Sequence, residues 1–364
     1  MTRREAEATL SPTGVRPVPL HIITGFLGSG KTTLLRRLLA TRGWERSAVL
    51  INEFGDDTFD PQSLPASASL PTVIDRGCVC CAMIEPLRRA IYNLFAEVKR
   101  GTRAPFDQIL LETSGLSDPA PILSTLMTDR VLREYVAAGH VVTVIDALNA
   151  PRQMALHLEF QKQVATADLV VVTKEDMASR QAMSDLHRHV AALNPTARSV
   201  ATGEPFELPR LLQSPTTFHF AERAPSPRPA QLAAAHGGAR SFTLAYARPV
   251  DWSAFVVWLT MLLNRHGKSV LRVKGVLMSE RPGPPLMIQG VQHVMHPPVH
   301  LRSWQGNERL SRIVFIVRGI EPAAVSQSLE RFLAWADQGN CLDWSSQERP
   351  IGRKDRGRSN RPPR

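Results

Sequence analysis

The sequence predicts an α/β protein with a mostly parallel sheet, followed by a smaller α+β domain. Short runs rich in Val, Ile and Leu end at Ile51, Leu111, Ile145 and Val172, and helical patterns fall between them. Continuous apolar runs of this length are typical of strands that are covered on both faces, as in a parallel sheet. A stretch rich in Pro, Ala and Gly at residues 221–239 then separates a second region, which predicts the smaller domain.

Five segments are predicted along the chain. With 364 residues, of which 43% are hydrophobic, the protein is long enough to bury a large core in two domains. The segments are a disordered N-terminus (1–17), an α/β domain (18–212), a Pro/Ala-rich linker (213–239), an α+β domain (240–336) and a basic disordered tail (337–364).

Helices and strands are assigned from the spacing of apolar residues. In the first domain the spacing predicts helices at Ile84–Val98, Pro121–Val136, Pro151–Thr166 and Arg180–Leu193. In the second domain it predicts strands at Phe242–Tyr246, Val270–Met278, Leu286–Val294 and Ile313–Val317. Asp251 is expected to cap a helix that ends near Asn264, and Pro322 is expected to open the last helix.

Composition narrows the class of protein. No run of about 18 apolar residues occurs, so no membrane span is expected, and residues 1–16 lack the apolar core of a secretory signal. Four cysteines are too few for a disulfide scaffold, which favours a reducing, cytoplasmic location. Residues 349–364 hold seven basic residues and one acidic residue, over half of the net charge of +11. Because no aromatic residue accompanies these charges, nucleic acid is not the expected partner.

The segment from Gly25 to Thr32 fits the phosphate-binding pattern G-x-x-x-x-G-K-[ST]. It lies between an apolar strand and a helical pattern, which is the setting that this pattern requires. Its glycines let backbone N–H groups close around phosphate oxygens, and the start of the helix adds a favourable dipole. Lys31 is expected to reach the outer phosphates of a nucleotide, and the Thr32 hydroxyl to bind Mg²⁺.

A second motif, Thr173-Lys174-Glu175-Asp176, indicates the base. It follows an apolar strand and matches [NTS]-K-x-D, the guanine-reading pattern of G proteins. The Asp176 carboxylate can accept hydrogen bonds from the ring N–H and the exocyclic amine of guanine, a donor pair that adenine lacks. The stem of Lys174 is expected to lie against the base. The motif therefore predicts GTP as the nucleotide.

An acidic residue, Glu112, ends the apolar strand that precedes the letters T-S-G at residues 113–115. A carboxylate at this point can hold Mg²⁺ through water or orient the attacking water. Gly115 would let the backbone approach the γ-phosphate, since it has no side chain to obstruct it.

Three cysteines within four residues, Cys78, Cys80 and Cys81, predict a metal site. Thiolates bind soft or borderline divalent metals, Zn²⁺ above all. Three thiolates leave a coordination position open, which suits metal delivery better than a closed structural site. The fourth ligand stays open; Glu53 is one candidate, because its strand is expected beside the strand of the phosphate loop. A redox function of the thiols is the alternative.

Five motifs occur in the order GFLGSGKTT, INEFG, GCVCC, LLETSG and TKED. Together they resemble the CobW-type family of P-loop GTPases and metallochaperones, of the SIMIBI class, over about residues 18–335. The resemblance implies a P-loop GTPase domain with Zn²⁺ or Co²⁺ at the three cysteines. It implies phosphate binding by Gly28, Ser29, Gly30, Lys31, Thr32 and Thr33, magnesium-site and switch roles for Glu53 and Glu112, and base reading by Thr173, Lys174 and Asp176.

The expected function is therefore that of a GTPase that carries Zn²⁺ or Co²⁺ to a client metalloprotein or to cobalamin biosynthesis. GTP binding and hydrolysis would gate the transfer, with Mg²⁺ as cofactor and Lys31 and Glu112 as catalytic residues. A P-loop kinase and a GTP-dependent thiol regulator that delivers no metal are the alternatives. The sequence leaves open the client, the choice of metal and the oligomeric state, including a homodimer.

Overall fold

The computed structural model describes residues 17–52, 72–74, 84–203, 206–214, 238–279, 283–304 and 309–340. Within these residues the chain forms a parallel sheet with helices, followed by an antiparallel sheet with helices, which confirms the predicted fold class. No helix in these ranges is long and apolar enough to cross a bilayer. Most of the predicted disordered ends and most of the linker lie outside the described residues, so the segment boundaries stay predictions. The first residues of the tail predicted to be disordered, 337–340, belong to a π-helical turn, Ala336–Asn340.

Seven described strands form the first sheet, in the order β3-β2-β4-β1-β5-β6-β7, and every pairing is parallel. Their bounds are Val18–Thr24 (β1), Ser47–Ile51 (β2), Thr72–Val73 (β3), Gln108–Glu112 (β4), Val136–Asp146 (β5), Leu169–Thr173 (β6) and Arg198–Val200 (β7). The predicted strand ends at residues 51, 111, 145 and 172 fall within one residue of the observed ends. The expectation that β2 lies beside β1 is wrong, because β4 pairs with both and lies between them.

Helices cover both faces of this sheet. Their bounds are Lys31–Leu39 (α1), Ile84–Arg100 (α2), Ala120–Thr128 (α3), Leu132–Tyr135 (α4), Ala150–Leu156 (α5), Leu158–Thr166 (α6), Arg180–Leu193 (α7) and Leu208–Gln213 (α8). Successive residues of a strand point to opposite faces. In β4, Ile109 and Leu111 accordingly belong to the core with α2 and α3, whereas Leu110 belongs to the core with α1 and α8. Burial on both faces explains the continuous apolar runs in the sequence.

Two helices predicted as continuous are interrupted. The one predicted from residue 121 to 136 stops at Thr128, since the Asp129 carboxylate accepts N–H groups of the next segment and starts α4. The one predicted from residue 151 to 166 breaks at His157, whose backbone is extended at φ −120°. The centroid of the His157 ring lies 4.6 Å from that of the Phe26 ring, so a tertiary contact accompanies the break in the helix.

The second sheet is antiparallel, in the order β11-β10-β9-β13-β8, with β12 paired to β10. Its strands are Arg240–Tyr246 (β8), Val270–Leu277 (β9), Leu286–Val291 (β10), Val294–Met295 (β11), Val299–His300 (β12) and Ser311–Val317 (β13), and its helices are Trp252–His266 (α9) and Pro322–Trp335 (α10). The predicted cap is confirmed, because the Asp251 side chain accepts the Ala254 N–H at 2.7 Å. The predicted single strand from residue 286 to 294 turns at Gln292 (φ 52°) and becomes a hairpin.

The second sheet is buried on both faces. One face packs on α9 and α10, where Phe255, Trp258 and Phe315 share a core. The other face packs on the first domain, where Val314 and Phe160 belong to one core cluster. The two sheets therefore sandwich α6 and α7, whose buried residues share one core cluster with strands of both sheets.

Charged residues also form ion pairs between the two domains. Arg272 and Lys274 in β9 are buried, and both donate to the carboxylate of Asp168, at 2.6 and 3.2 Å. Asp168 directly precedes β6, so this ion cluster lies at the amino end of that strand. The loop that binds phosphate in the sequence prediction lies at the opposite, carboxyl edge of the sheet, after β1.

Candidate nucleotide site

The glycine-rich loop joins β1 to α1 and has a backbone that only glycine adopts without strain. Gly25 has φ 144°, and a Cβ atom there would lie 2.2 Å from the carbonyl oxygen of Val144. Gly30 has φ 91° and precedes the first turn of α1, where it offers no side-chain cap. A helix start of this kind presents backbone N–H groups and a positive dipole end to an anion.

Two polar side chains of the loop are enclosed by it. The Lys31 ammonium donates to the carbonyl oxygen of Phe26 at 3.2 Å, across the loop. The Ser29 hydroxyl is buried and has no hydrogen-bond partner among the described residues. A buried hydroxyl without a partner is costly, and a phosphate oxygen would satisfy it. Thr33 lies exposed in the first turn of α1.

Thr32, in the first turn of α1, is hydrogen-bonded to Glu112, at the carboxyl end of β4. The Thr32 hydroxyl donates to the Glu112 carboxylate at 2.6 Å, and Glu112 is only 2% exposed. A hydroxyl and a carboxylate are the hard oxygen ligands that Mg²⁺ prefers, so this pair fits a magnesium ion beside the phosphate loop. The backbone of Glu112 also accepts the Asn52 N–H at 2.9 Å, which ties the end of β2 to the same place.

The segment after Glu112 lies directly on the phosphate loop. A Cβ atom at Gly115 would lie 2.6 Å from the backbone nitrogen of Leu27, so this approach requires glycine. Gln163 of α6 stabilises this segment, because its side-chain amide donates to the carbonyl oxygens of Gly115 and Ser117 at 3.1 and 3.0 Å. Gln163 was not predictable from the sequence, since no local pattern links α6 to a loop 48 residues away.

The end of β6 contacts the phosphate loop through two side chains. The Thr173 hydroxyl donates to the carbonyl oxygen of Ser29 at 2.8 Å, and the Lys174 ammonium donates to that of Gly28 at 3.1 Å. Asp176 follows in a 3₁₀ turn, Glu175–Met177, and its side chain is exposed at the same edge. The structure thus brings Thr173 and Lys174 to the loop that the sequence assigns to phosphate, and Asp176 follows them in the chain.

Asp146, at the end of β5, is a candidate site residue that no sequence motif indicates. Its carboxylate lies 2.6 Å from the Lys174 ammonium and 2.8 Å from the Asn149 amide. Burial raises the pKa of Asp146, but the hydrogen bonds from Lys174 and Asn149 outweigh it and hold the pKa below its ordinary value. The available signal was a carboxylate directly after an apolar strand, as at Glu112.

Cys78, Cys80, Cys81 and Glu53 lie outside the described residues. The last described residue before the cysteines is Ile74, whose N–H bonds to the carbonyl oxygen of Ile51 at the end of β2. Among the described residues, no group of three His, Cys, Asp or Glu side chains is arranged to hold a metal ion.

The parallel sheet, the phosphate loop and the Thr32–Glu112 pair define a P-loop nucleotide-binding protein. Residues 19–201 match the family described as "CobW/HypB/UreG, nucleotide-binding domain", and residues 239–333 match the "Cobalamin synthesis protein cobW C-terminal domain". The chain therefore belongs to the CobW/HypB/UreG family.

Relatives and solved structures agree with this membership. The zinc chaperone YjiA of Escherichia coli is 31% identical over 306 residues, which cover 83% of this chain and 94% of YjiA. The zinc chaperone CobW of Pseudomonas aeruginosa is 29% identical, over 91% of this chain and 96% of its own. The crystal structure of Zn(II)-bound YjiA GTPase superposes with a TM-score of 0.65 at 27% identity, over 87% of this chain and 99% of that one. A Zn(II)-bound YjiA variant, with one glutamate and two consecutive cysteines changed to alanine, gives 0.69 at 26% identity, with the same coverage.

Proposed function

We propose that this protein is a GTP-hydrolysing metallochaperone. It binds Zn²⁺ or Co²⁺ through Cys78, Cys80 and Cys81, and it transfers the ion to a client metalloprotein or to cobalamin biosynthesis as GTP is bound and hydrolysed. The client, a homodimeric state and the choice between the two metals stay predictions.

One observation carries the proposal. The Glu112 carboxylate accepts the Thr32 hydroxyl, while the Glu112 backbone accepts the Asn52 N–H. Asn52 directly precedes Glu53, and the partner strand of β2 leads, after Ile74, into the cysteine segment. Glu112 therefore contacts the end of β2 directly, and β2 pairs with β3, the strand that precedes the cysteine segment.

The nucleotide chemistry is assigned to the described residues. Lys31 neutralises charge on the outer phosphates, and Glu112 orients the attacking water for transfer of the γ-phosphoryl group. Asp176 reads the two adjacent donors of guanine, with the stem of Lys174 against the ring. Thr32 and, directly or through water, Glu112 would hold Mg²⁺, which would supply charge neutralisation on the phosphates.

The cargo chemistry is assigned to the thiols. The thiols of Cys78, Cys80 and Cys81 lie within four residues of one another, and thiolates are ligands that Zn²⁺ prefers. Thiolates must be deprotonated to bind, so metal uptake should release protons and weaken as pH falls. By thermodynamic linkage, GTP must change metal affinity by the same factor as the metal changes GTP affinity.

The test combines metal and nucleotide titrations. Zn²⁺ affinity is measured with a metal-sensitive dye, in the presence of GDP or of a non-hydrolysable GTP analogue. Cys80→Ala should lose tight Zn²⁺ binding but keep GTP binding, whereas Lys31→Ala should lose GTP hydrolysis. Cys341→Ala, which leaves the three-thiol segment intact, is the matched control and should bind Zn²⁺ as the wild type does.

Two outcomes would overturn the proposal. If GDP and the GTP analogue leave the Zn²⁺ affinity equal, nucleotide and metal are not coupled. If Cys80→Ala binds Zn²⁺ as tightly as Cys341→Ala, the thiols are not the metal site. Phosphate transfer to an acceptor other than water would instead support a kinase.

A further inference from the structure

We propose that Asp146 is a positioning residue for Lys174, and that it sets the affinity for guanine nucleotides without setting the choice of base. The inference rests on the proposed function, because it assigns Lys174 to the guanine site, and it adds a residue that no motif of the chain includes. Asp146 acts through Lys174 and does not contact the nucleotide itself.

Asp146 is held in place by donors other than Lys174. One carboxylate oxygen accepts the backbone N–H of Leu148 at 2.9 Å and that of Asn149 at 3.4 Å. The other accepts the Asn149 amide at 2.8 Å as well as the Lys174 ammonium at 2.6 Å. The Asp146 side chain is 1% exposed. These bonds therefore hold the carboxylate in a fixed position, whatever the conformation of the lysine.

Lys174, in contrast, has a conformation that needs support. It is one of two described residues other than glycine with a positive φ, 57°, which costs free energy for a residue with a Cβ atom. Its side chain is 39% exposed, and a lysine stem with that freedom is ordinarily mobile in water. The bonds to Asp146 and to the carbonyl oxygen of Gly28 fix its ammonium end between β5 and the phosphate loop.

Fixing both ends of the lysine before a nucleotide arrives lowers the entropy lost on binding. Because the contribution of the stem is a contact with the ring, it is the same for every purine of the same shape. Discrimination between bases falls to Asp176, which is exposed at this edge, while Asp146 is buried behind Lys174. Asp146 should therefore affect nucleotides with and without the exocyclic amine by one common factor.

The test compares steady-state hydrolysis of GTP and inosine triphosphate by the full chain. Asp146→Asn keeps an oxygen for the Leu148 N–H but removes the charged acceptor of Lys174. We expect KM for both nucleotides to rise about tenfold, as for the loss of one charge-assisted hydrogen bond, with kcat unchanged. A rise in KM at constant kcat marks the loss of uniform binding, which general damage to the fold would not produce.

Asp129→Asn is the matched control, since Asp129 also accepts two backbone N–H groups and a cationic partner, Arg88, but lies on α3–α4 away from the site. Its KM should equal that of the wild type. Lys174→Met keeps the length of the stem without the ammonium and should itself raise KM. In a double-mutant cycle, Asp146→Asn should add nothing to Lys174→Met.

Results that contradict the role of Asp146 can be distinguished from results that contradict the proposed function. The role of Asp146 would be overturned if the two substitutions had additive effects in the cycle. It would also be overturned if KM were unchanged in Asp146→Asn or in Lys174→Met, or if Asp146→Asn raised KM by different factors for GTP and inosine triphosphate. If Asp146→Asn does not fold, the Lys174→Met measurement decides alone. A wild-type chain that neither binds nor hydrolyses GTP would instead remove the proposed function.

Discussion

The carboxylate of Asp168 lies 2.6 Å from the guanidinium of Arg272, and this buried pair joins the two sheets of the protein. Lys274 adds a second buried cation 3.2 Å from the same carboxylate. Burial raises the pKa of Asp168, but Arg272 and Lys274 outweigh it and hold the pKa well below its ordinary value. Burial lowers the pKa of Lys274, which Asp168 partly restores. One buried carboxylate thus pairs with two buried cations at the contact between the domains.

Asp168→Asn should destabilise the protein strongly, because it leaves Arg272 and Lys274 buried without a counter-charge. Breaking a buried pair from one side costs about 3–5 kcal/mol. Urea unfolding monitored by tryptophan fluorescence would give the change in the free energy of unfolding. The control is Asp107→Asn, whose partner Arg46 is exposed and whose loss should cost less than about 1 kcal/mol. Equal effects of the two substitutions would contradict this account of the interface.

Stability should fall with acid through two buried histidines. Burial and the charge of Arg272 lower the pKa of His296 to about 4, and burial and His140 lower that of His21 to about 3. The unfolded chain takes up these protons near pH 6.5, while the folded chain stays neutral there. The free energy of unfolding should therefore decrease below about pH 6.5, by about 1.4 kcal/mol per pH unit for each histidine.

The contribution of His296 can be separated by substitution. Urea unfolding at pH 7.5, 6.5 and 5.5, values chosen around the ordinary pKa of histidine, gives the slope. His296→Gln should reduce the total loss of stability between pH 7.5 and 5.5 by about 1.4 kcal/mol, whereas His187→Gln, at an exposed position, should leave it unchanged. A wild-type slope in His296→Gln would show that this histidine does not carry the pH dependence.

Glu112→Gln should separate metal-dependent from metal-independent nucleotide binding. The amide keeps the size of the side chain but loses the charge beside Thr32, so we expect kcat/KM for Mg·GTP to fall by about 100-fold or more. Binding of GTP in EDTA should change little. Thr32→Ser, which keeps the hydroxyl, is the control and should remain active. Loss of binding in EDTA as well would indicate that Glu112 acts on the loop's structure and not on Mg²⁺.

Gly115→Ala should weaken GTP binding more than GDP binding. The added Cβ atom would lie 2.6 Å from the Leu27 nitrogen, so one of the two segments must move away from the phosphate loop. We expect at least about a tenfold loss of affinity for a GTP analogue, measured by calorimetry, with a smaller loss for GDP. Gly203→Ala, whose Cβ atom would meet nothing within 4 Å, should bind both nucleotides normally. Equal losses for both nucleotides would show that residue 115 does not distinguish the γ-phosphate.

The sequence predicted what local chemistry decides. Strand ends near Ile51, Leu111 and Val172 were predictable because parallel strands are apolar on both faces. The phosphate loop was predictable because its glycines and its lysine stand at fixed spacing. The cap at Asp251 was predictable for the same reason, since a helix start uses residues that are close in the chain.

What depends on distant residues was not predictable. The order of strands β2 and β4 and the break at His157 reflect tertiary packing, which the local letters do not record. Asp168 and Arg272 are 104 residues apart in the chain, and each looks like an ordinary residue beside or in a strand. Asp146 was missed for a related reason, because its role becomes visible only when β5 and β6 are paired.

The ion cluster of Asp168, Arg272 and Lys274 also limits how such a chain can evolve by recombination. If the first domain were fused to an unrelated second domain, the Asp168 carboxylate would be buried without a cation. The second domain, separated from the first, would carry Arg272 and Lys274 without a counter-charge. Each half thus depends on the other for a counter-charge, so we expect positions 168, 272 and 274 to be exchanged as a set. Among homologues in which the second domain has been exchanged, we expect substitutions at these three positions to occur together.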